Sequence, residues 1–151
     1  MTLAKRFART RGAPQTVDGI VVHNIYRRDV SSGTRICVRR ASVTDGAVQG
    51  LCLKVANGFL IVNGQRQEDI VLWSDTAPSN VEVICEPRGS LGEFRAWNCW
   101  RDSEGTMHAW TGDAGIVIEE IDGKVRLHCS AGNHPFTPSD LVVEFTFVGP
   151  E

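Results

Sequence analysis

The 151-residue sequence contains no apolar run approaching the roughly 18 residues of a membrane-spanning helix. We therefore expect no membrane partner. The sequence also lacks a C-x-x-C pair, because its five cysteines are odd in number and scattered. Small secreted scaffolds pair their cysteines densely, so the pattern predicts free thiols and favours a reducing, cytoplasmic location. These thiols are Cys37, Cys52, Cys85, Cys99 and Cys129.

The motifs of common catalytic classes are missing as well. No Walker loop, G-x-G-x-x-G or H-E-x-x-H is present, and the nearest string to a nucleophile elbow, at 89–92, has the wrong spacing. A metal site would need three separate strands and loops to converge. We therefore predict no cofactor and no metal, and the sequence favours a protein that is not an enzyme. The residues such a metal site would use are His108, His128 and His134 with Cys99 or Cys129.

Strand and turn signals fill the chain after residue 18. Several dipeptides tolerate positive φ at both positions of a two-residue hairpin turn, among them Asp45-Gly46, Asn57-Gly58, Asn63-Gly64 and Asp122-Gly123. Short strands about every 8–12 residues in one domain predict an all-β, two-sheet antiparallel β-sandwich of the jelly-roll type, with a β-barrel as the alternative. The predicted strands are 19–26, 34–42, 47–56, 59–63, 67–73, 80–86, 91–101, 106–111, 115–121, 124–129 and 140–148.

Turn positions set the register of two strands, and register assigns each side chain to a face. A hairpin at Asp45-Gly46 pairs Val38 with Leu53. It also places a thiol among cations on one outer face, where a thiolate would be stabilised; these residues are Arg35, Cys37, Arg39, Cys52 and Lys54. A hairpin at Asp122-Gly123 pairs Ile118 with Leu127 and directs an apolar set to the core. That set is Ile116, Ile118, Val125, Leu127 and Cys129.

The segment 93–101 and its predicted return strand 106–111 do not alternate cleanly. A loop over 102–105 places Trp97 opposite Trp110 and Cys99 opposite His108. The face that contains Phe94 is the more apolar and is assigned to the core, so two indoles and an imidazole face outward. Aromatic rings contact the apolar faces of sugars or bases, while arginine and histidine donate directed hydrogen bonds. The candidate ligand-binding residues are therefore Arg95, Trp97, His108 and Trp110.

Other arrangements would leave no open aromatic face. The N-terminal arm, a loop, or a second subunit related by a two-fold axis would cover it. Alternatively, the two faces of the 93–111 hairpin are the reverse of the assignment above.

Charge is distributed unevenly along the chain. Residues 1–40 carry nine basic and two acidic side chains, whereas residues 41–151 carry seven and sixteen. We interpret residues 1–15 as a basic arm and 16–151 as a single sandwich domain. The arm is expected to dock on the acidic surface of its own chain or of a second subunit, which favours a homo-oligomer such as a homodimer. A sequence pI of about 6.1 makes nucleic acid an unlikely partner.

Three hypotheses for function follow from different classes of protein. The favoured one is a module that binds a small polar ligand or a carbohydrate through the aromatic sheet face. The second is a self-associating structural or accessory protein without catalytic activity, in which that face is a subunit interface. The third is an enzyme with a histidine-containing cleft, since histidine exchanges protons near neutral pH.

Overall fold

The computed structural model describes residues 1–150, which form one short helix followed by β-structure. Helix α1 is Leu3–Arg9 and begins at Thr2, whose hydroxyl accepts the Lys5 N–H. Leu3 and Phe7, one turn apart, are both buried. Among residues 1–150, no helix is both long enough and apolar enough to cross a membrane.

The strands of residues 1–150 are short, and all of their pairings are antiparallel. Most of the predicted strands are found with their ends shifted by one or two residues. In chain order, β1 to β14 are Gln15–Val17, Ile20–Val22, Tyr26–Ser31, Arg35–Val43, Val48–Ala56, Gly58–Val62, Gln65–Gln67, Asp69–Trp73, Asn80–Pro87, Leu91–Arg101, Met107–His108, Gly115–Ile121, Lys124–Ser130 and Leu141–Val148.

Strands β3 to β10 pair in a nested order. β3 pairs with β10, β4 with β9, β5 with β8 and β6 with β7. This is the pattern of a jelly roll, in which one long hairpin folds over into two sheets. The first sheet has the order β3-β10-β5-β8, and the second contains β4-β9-β6-β7. The predicted two-sheet antiparallel sandwich is confirmed, and the two sheets do not merge into one closed barrel within residues 1–150.

Further strands extend this jelly roll at its edges. The meander β12-β13-β14 adds to the second sheet beside β4, and β11 adds two residues beside β10. The hairpin at Asp122-Gly123 has the predicted register, with Ile118 opposite Leu127. The predicted strand 19–26 is instead β2 and the start of β3. An additional hairpin closes at Asp18-Gly19, where both residues have positive φ.

The hairpin predicted at Asp45-Gly46 is wrong. β4 pairs with β14 and β9 in the second sheet, whereas β5 pairs with β10 and β8 in the first. A turn signal shows that the chain reverses, but it does not show that the flanking strands pair. Cys37 and Lys54 therefore lie on the outer faces of opposite sheets, and the predicted basic surface around Cys37 and Cys52 is not formed.

Aromatic side chains join the two sheets in the core. Phe94 of β10 meets Phe145 of β14 edge-to-face, with ring centroids 5.5 Å apart and planes at 82°. Tyr26 of β3 lies 5.8 Å from the Phe145 ring. Phe94 and Phe145 are fully buried, so the face of β10 assigned to the core is the buried one.

The outer face of the second sheet carries one buried carboxylate among cations. Glu144 lies 2.9 Å from Arg126, 3.4 Å from Arg39 and 3.6 Å from Lys124, measured between ion-pair nitrogen and oxygen atoms. The hydrogen bond from Arg126 is the main cause that holds the pKa of Glu144 below its ordinary value. The carboxylate therefore stabilises the fold only while it is ionised.

Acidification is expected to remove this contribution. Because the folded-state pKa lies below the unfolded one, the stabilisation is present above about pH 4.3, the ordinary pKa of glutamate. It is lost as the pH falls through the lowered pKa. Urea unfolding at pH 6 and pH 3 should show a smaller loss of stability for Glu144→Gln than for the natural chain. Equal losses would show that Glu144 does not titrate differently in the folded state.

Candidate ligand-binding face

Three tryptophans lie along the outer side of the first sheet, and we call this surface the tryptophan face. Trp97 of β10 stands opposite Cys52 of β5, and the next outward position, Cys99, stands opposite Gly50. Gly50 in turn stands opposite Trp73 at the end of β8. Side chains two residues apart on a strand share a face. Trp73 and Trp97 are therefore on the same face, separated by the two cysteines.

Trp73 is partly buried and has a close neighbour at Gly50 and another at Arg101. A Cβ atom at Gly50 would lie 2.7 Å from Cε3 of Trp73, so the indole occupies the space that a side chain would need. The Arg101 guanidinium lies 4.6 Å from the centroid of the same ring and is fixed by an ion pair with Asp75. Trp73 therefore packs against these neighbours and is less exposed than Trp110.

Trp97 and Trp110 form a stacked pair, with ring centroids 5.0 Å apart and planes at 27°. Trp97 is half-buried and packs against the core, whereas Trp110 is 45% exposed. The Trp110 Nε1–H donates to the carbonyl oxygen of Asn24 at 3.0 Å. The exposed indole is thus held in place by one ring contact and one hydrogen bond.

The backbone of Trp110 has a φ of 57°, a left-handed conformation that is uncommon for a bulky residue. Just after Trp110, the backbones of the loops 110–113 and 131–133 come into close contact. A Cβ atom at Gly112 would overlap the carbonyl oxygen of Gly132, and one at Gly132 would overlap the carbonyl oxygen of Thr111. The close approach of these loops requires glycine at both positions.

The structure separates His108 from the other three predicted site residues. His108 stands opposite Trp100, one residue from the predicted partner Cys99, and a one-residue slip moves a side chain to the other face. Its imidazole stacks on Trp100 with centroids 6.1 Å apart. Arg95 and Trp97 do share the outer face, where Arg95 Nε donates to Glu93 at 2.6 Å. The ligand-binding role of all four residues stays a prediction.

His108 lines a separate open cleft of about 380 Å³. Its Nε2 lies 2.9 Å from Asp102 Oδ2, and Asp102 Oδ1 also accepts the backbone N–H groups of Glu104 and Thr106. The contact with His108 is the main cause that lowers the pKa of Asp102. An imidazole oriented in this way can exchange a proton. The remaining lining residues are Trp100, Thr111, Gly132 and Asn133.

The histidines and cysteines do not converge on a metal site. No group of three or more His, Cys, Asp or Glu side chains among residues 1–150 is placed to hold a metal ion. His128 instead lies 3.1 Å from Glu119, and His134 lies 2.9 Å from the buried Asp140. These two histidines are held by carboxylates on the second sheet and in the loop after β13.

The five cysteines are free thiols, as predicted. The Sγ atoms of Cys52 and Cys99 lie 3.4 Å apart beneath the tryptophan face. The hydrogen bond from Cys52, followed by burial, raises the pKa of the Cys99 thiol. Both side chains are buried, so they act as small apolar packing groups and not as nucleophiles.

The N-terminal arm docks differently from expectation. Leu3 and Phe7 pack against Val22, the Ala4 N–H donates to the carbonyl oxygen of Gly112 at 2.9 Å, and the Leu3 N–H donates to Asp113 at 3.0 Å. Among the ion pairs of residues 1–150, none involves a basic side chain of the arm. Apolar contacts and hydrogen bonds therefore hold the arm on its own chain. The predicted pairing of its basic side chains with acidic groups of the same chain is not found among residues 1–150, and pairing with a second subunit stays a prediction.

The docked arm forms a groove with the exposed indole. Ala4, Ala8 and Arg11 lie along one side of the arm, and Trp110 faces them across an open space of about 650 Å³. The arm therefore borders the tryptophan face without covering Trp110. Phe7, Gly12 and Asn24 complete the lining.

Comparison with protein-family models, curated proteins and solved structures found no match to this chain. Function must therefore be argued from the geometry of the site itself.

Proposed function

We propose that this protein is a binding module for a small polar ligand, most simply a carbohydrate, and that Trp110 is its main contact. The observation that carries this proposal is an exposed indole held in a fixed orientation on a second indole. Sugar rings present apolar C–H faces that pack on such a surface, while their hydroxyls need directed polar partners. Trp97 supports the ring from behind and is a positioning residue.

The local energetics favour a role in binding. An exposed aromatic ring forgoes the burial that normally stabilises such a side chain, and its left-handed backbone adds strain. The fixed ring loses little conformational entropy when a ligand binds, so more of the contact energy contributes to affinity. Arg95 lies one outward position from Trp97 along β10, about 7 Å away, within reach of a ligand that contacts both.

Trp110→Ala is expected to weaken ligand binding by at least about tenfold, because a stacking contact of roughly 1.4 kcal/mol corresponds to a factor of ten. Tryptophan fluorescence and calorimetric titration with a panel of oligosaccharides would measure this. Little stability should be lost, since the ring is 45% exposed. The matched control is Leu91→Ala, which removes a 70% exposed apolar side chain at the far end of β10 and should leave affinity unchanged.

Self-association is the competing explanation for the same surface. Sedimentation of the natural chain and of Trp110→Ala separates the two. A monomer that binds saccharide supports the proposal. A dimer that dissociates when Trp110 is removed would make this face a subunit interface and overturn it.

A further inference from the structure

Three cations of the arm are exposed and have no ion-pair partner among residues 1–150: Lys5, Arg9 and Arg11. The fourth, Arg6, is occupied, because it donates to the Gln15 side chain at 3.3 Å and to the Thr16 carbonyl oxygen at 2.8 Å. The carboxylate of Asp113 accepts the backbone N–H of Leu3 at the start of the helix and pairs with none of these cations. The positive charge of the arm is therefore directed to solvent.

One of these cations, Arg11, lines the groove with Trp110, and the other two follow from the helix geometry. Positions 3 and 7 of the helix face the protein, and positions 4 and 8 face the groove. Positions 5 and 9 come next around the helix, since each residue advances about 100°. Lys5 and Arg9 thus lie on the solvent side of the helix beside Ala4 and Ala8, within side-chain reach of a ligand in the groove, and Arg11 lines the groove itself. The alanine side chains at 4 and 8 leave space between the helix and the indole.

We propose that this groove binds an acidic saccharide, whose carboxylate or sulfate groups contact Lys5, Arg9 and Arg11 while a sugar ring packs on Trp110. This inference rests on the proposed function and narrows its ligand class. The arm supplies charge of one sign beside an apolar ring, and a sugar that carries anionic groups presents both complementary surfaces.

The size of the groove favours a short saccharide over a nucleic acid strand. From Ala4 to Arg9 the helix advances about 7.5 Å at 1.5 Å per residue, and Arg11 follows its end, so the groove is about two sugar rings long. Single-stranded nucleic acid sites present several aromatic rings along a basic track, whereas Trp110 is the one exposed aromatic ring in this groove, since Phe7 is buried. The strongly acidic composition of residues 41–151 would also repel a long polyanion beyond the groove.

Paired probes that differ only in charge test this proposal. Calorimetric titration of the full chain would use short galacturonate, hyaluronan and chondroitin sulfate oligosaccharides, each against its carboxyl-reduced or desulfated form. At least one acidic probe should bind about tenfold more tightly than its neutral counterpart, because two or three exposed ion pairs contribute that much together. The difference in affinity between the acidic and neutral probes should shrink when salt is raised from about 50 to about 300 mM, because salt shortens the range of electrostatic attraction.

A double variant, Arg9→Gln with Arg11→Gln, should remove this preference, so that the charged and neutral forms of each probe bind with similar affinity. Arg88→Gln is the control, because it removes an exposed cation outside the groove. Equal binding of charged and neutral probes, unaffected by the double variant, would overturn the inference while the proposed function stands. No binding of either form would overturn both. Tighter binding of an oligodeoxythymidylate than of any saccharide would identify nucleic acid as the occupant and overturn the inference.

Discussion

Replacing Phe94 by alanine is expected to lower the free energy of unfolding by about 3–5 kcal/mol, the range for a fully buried phenylalanine. The ring belongs to β10 in the first sheet and contacts Phe145 and Phe147 of β14 in the second, at 5.5 and 6.2 Å between centroids. Its removal leaves a cavity at the point where the sheets meet. A loss of this size is a large part of the 5–15 kcal/mol that typically separates folded from unfolded domains.

Urea unfolding monitored by circular dichroism would measure this loss. Leu91→Ala in the same strand is the matched control, because its side chain is 70% exposed, and we expect a change within about 0.5 kcal/mol. If Phe94→Ala and Leu91→Ala destabilised the protein equally, the inner and outer faces of β10 would be wrongly assigned. The face of β10 that contains Trp97 would then be the buried one.

Local sequence patterns were sufficient to find most strands and the faces of their side chains. Alternation along β5 places Leu51, Leu53 and Val55 in the core whichever strand lies beside them, because the side-chain period is two in any sheet. The Asp122-Gly123 hairpin also has the predicted register, because both strands belong to one sheet and the two-residue turn sets their alignment.

Local sequence patterns did not predict which of the two sheets each strand belongs to. A jelly roll places β4 and β5 in different sheets, although they are consecutive strands joined by an Asp-Gly turn. Their partners, β9 and β10, lie more than thirty residues away along the chain, and nothing in the turn encodes that pairing. The predicted surface around Cys37 failed for this reason.

Only part of the candidate site was predicted, again because strand pairing is not encoded locally. The contact between Trp97 and Trp110 was predicted, but from a register that is one residue wrong at His108. The stacked Trp110 has a left-handed backbone, and no propensity predicts such a conformation for tryptophan. The groove was missed altogether. Its signal in the sequence is the small-residue spacing of Ala4 and Ala8 beside Lys5 and Arg9.

Gly132→Ala is expected to move Trp110 although residue 132 lies outside the stacked pair. The added Cβ would overlap the carbonyl oxygen of Thr111 and lie 2.8 Å from the Trp100 ring, so the loops 110–113 and 131–133 must separate. Overpacking of this kind destabilises by about 1–3 kcal/mol. The displaced loop also holds the N-terminus of α1 through Gly112 and Asp113, so both walls of the groove are expected to shift.

Two measurements distinguish this displacement from general unfolding. The exciton-coupled circular dichroism of the Trp97–Trp110 stack should weaken, and saccharide affinity should fall together with it, at a urea concentration where the chain is still folded. Gly89→Ala is the matched control, because a Cβ there has no neighbour within 4 Å and should change neither signal. A Gly132→Ala protein that keeps the coupled signal and loses affinity would place the binding site in the His108 cleft, which Gly132 also lines. One that keeps both would show that the loops adjust without moving Trp110.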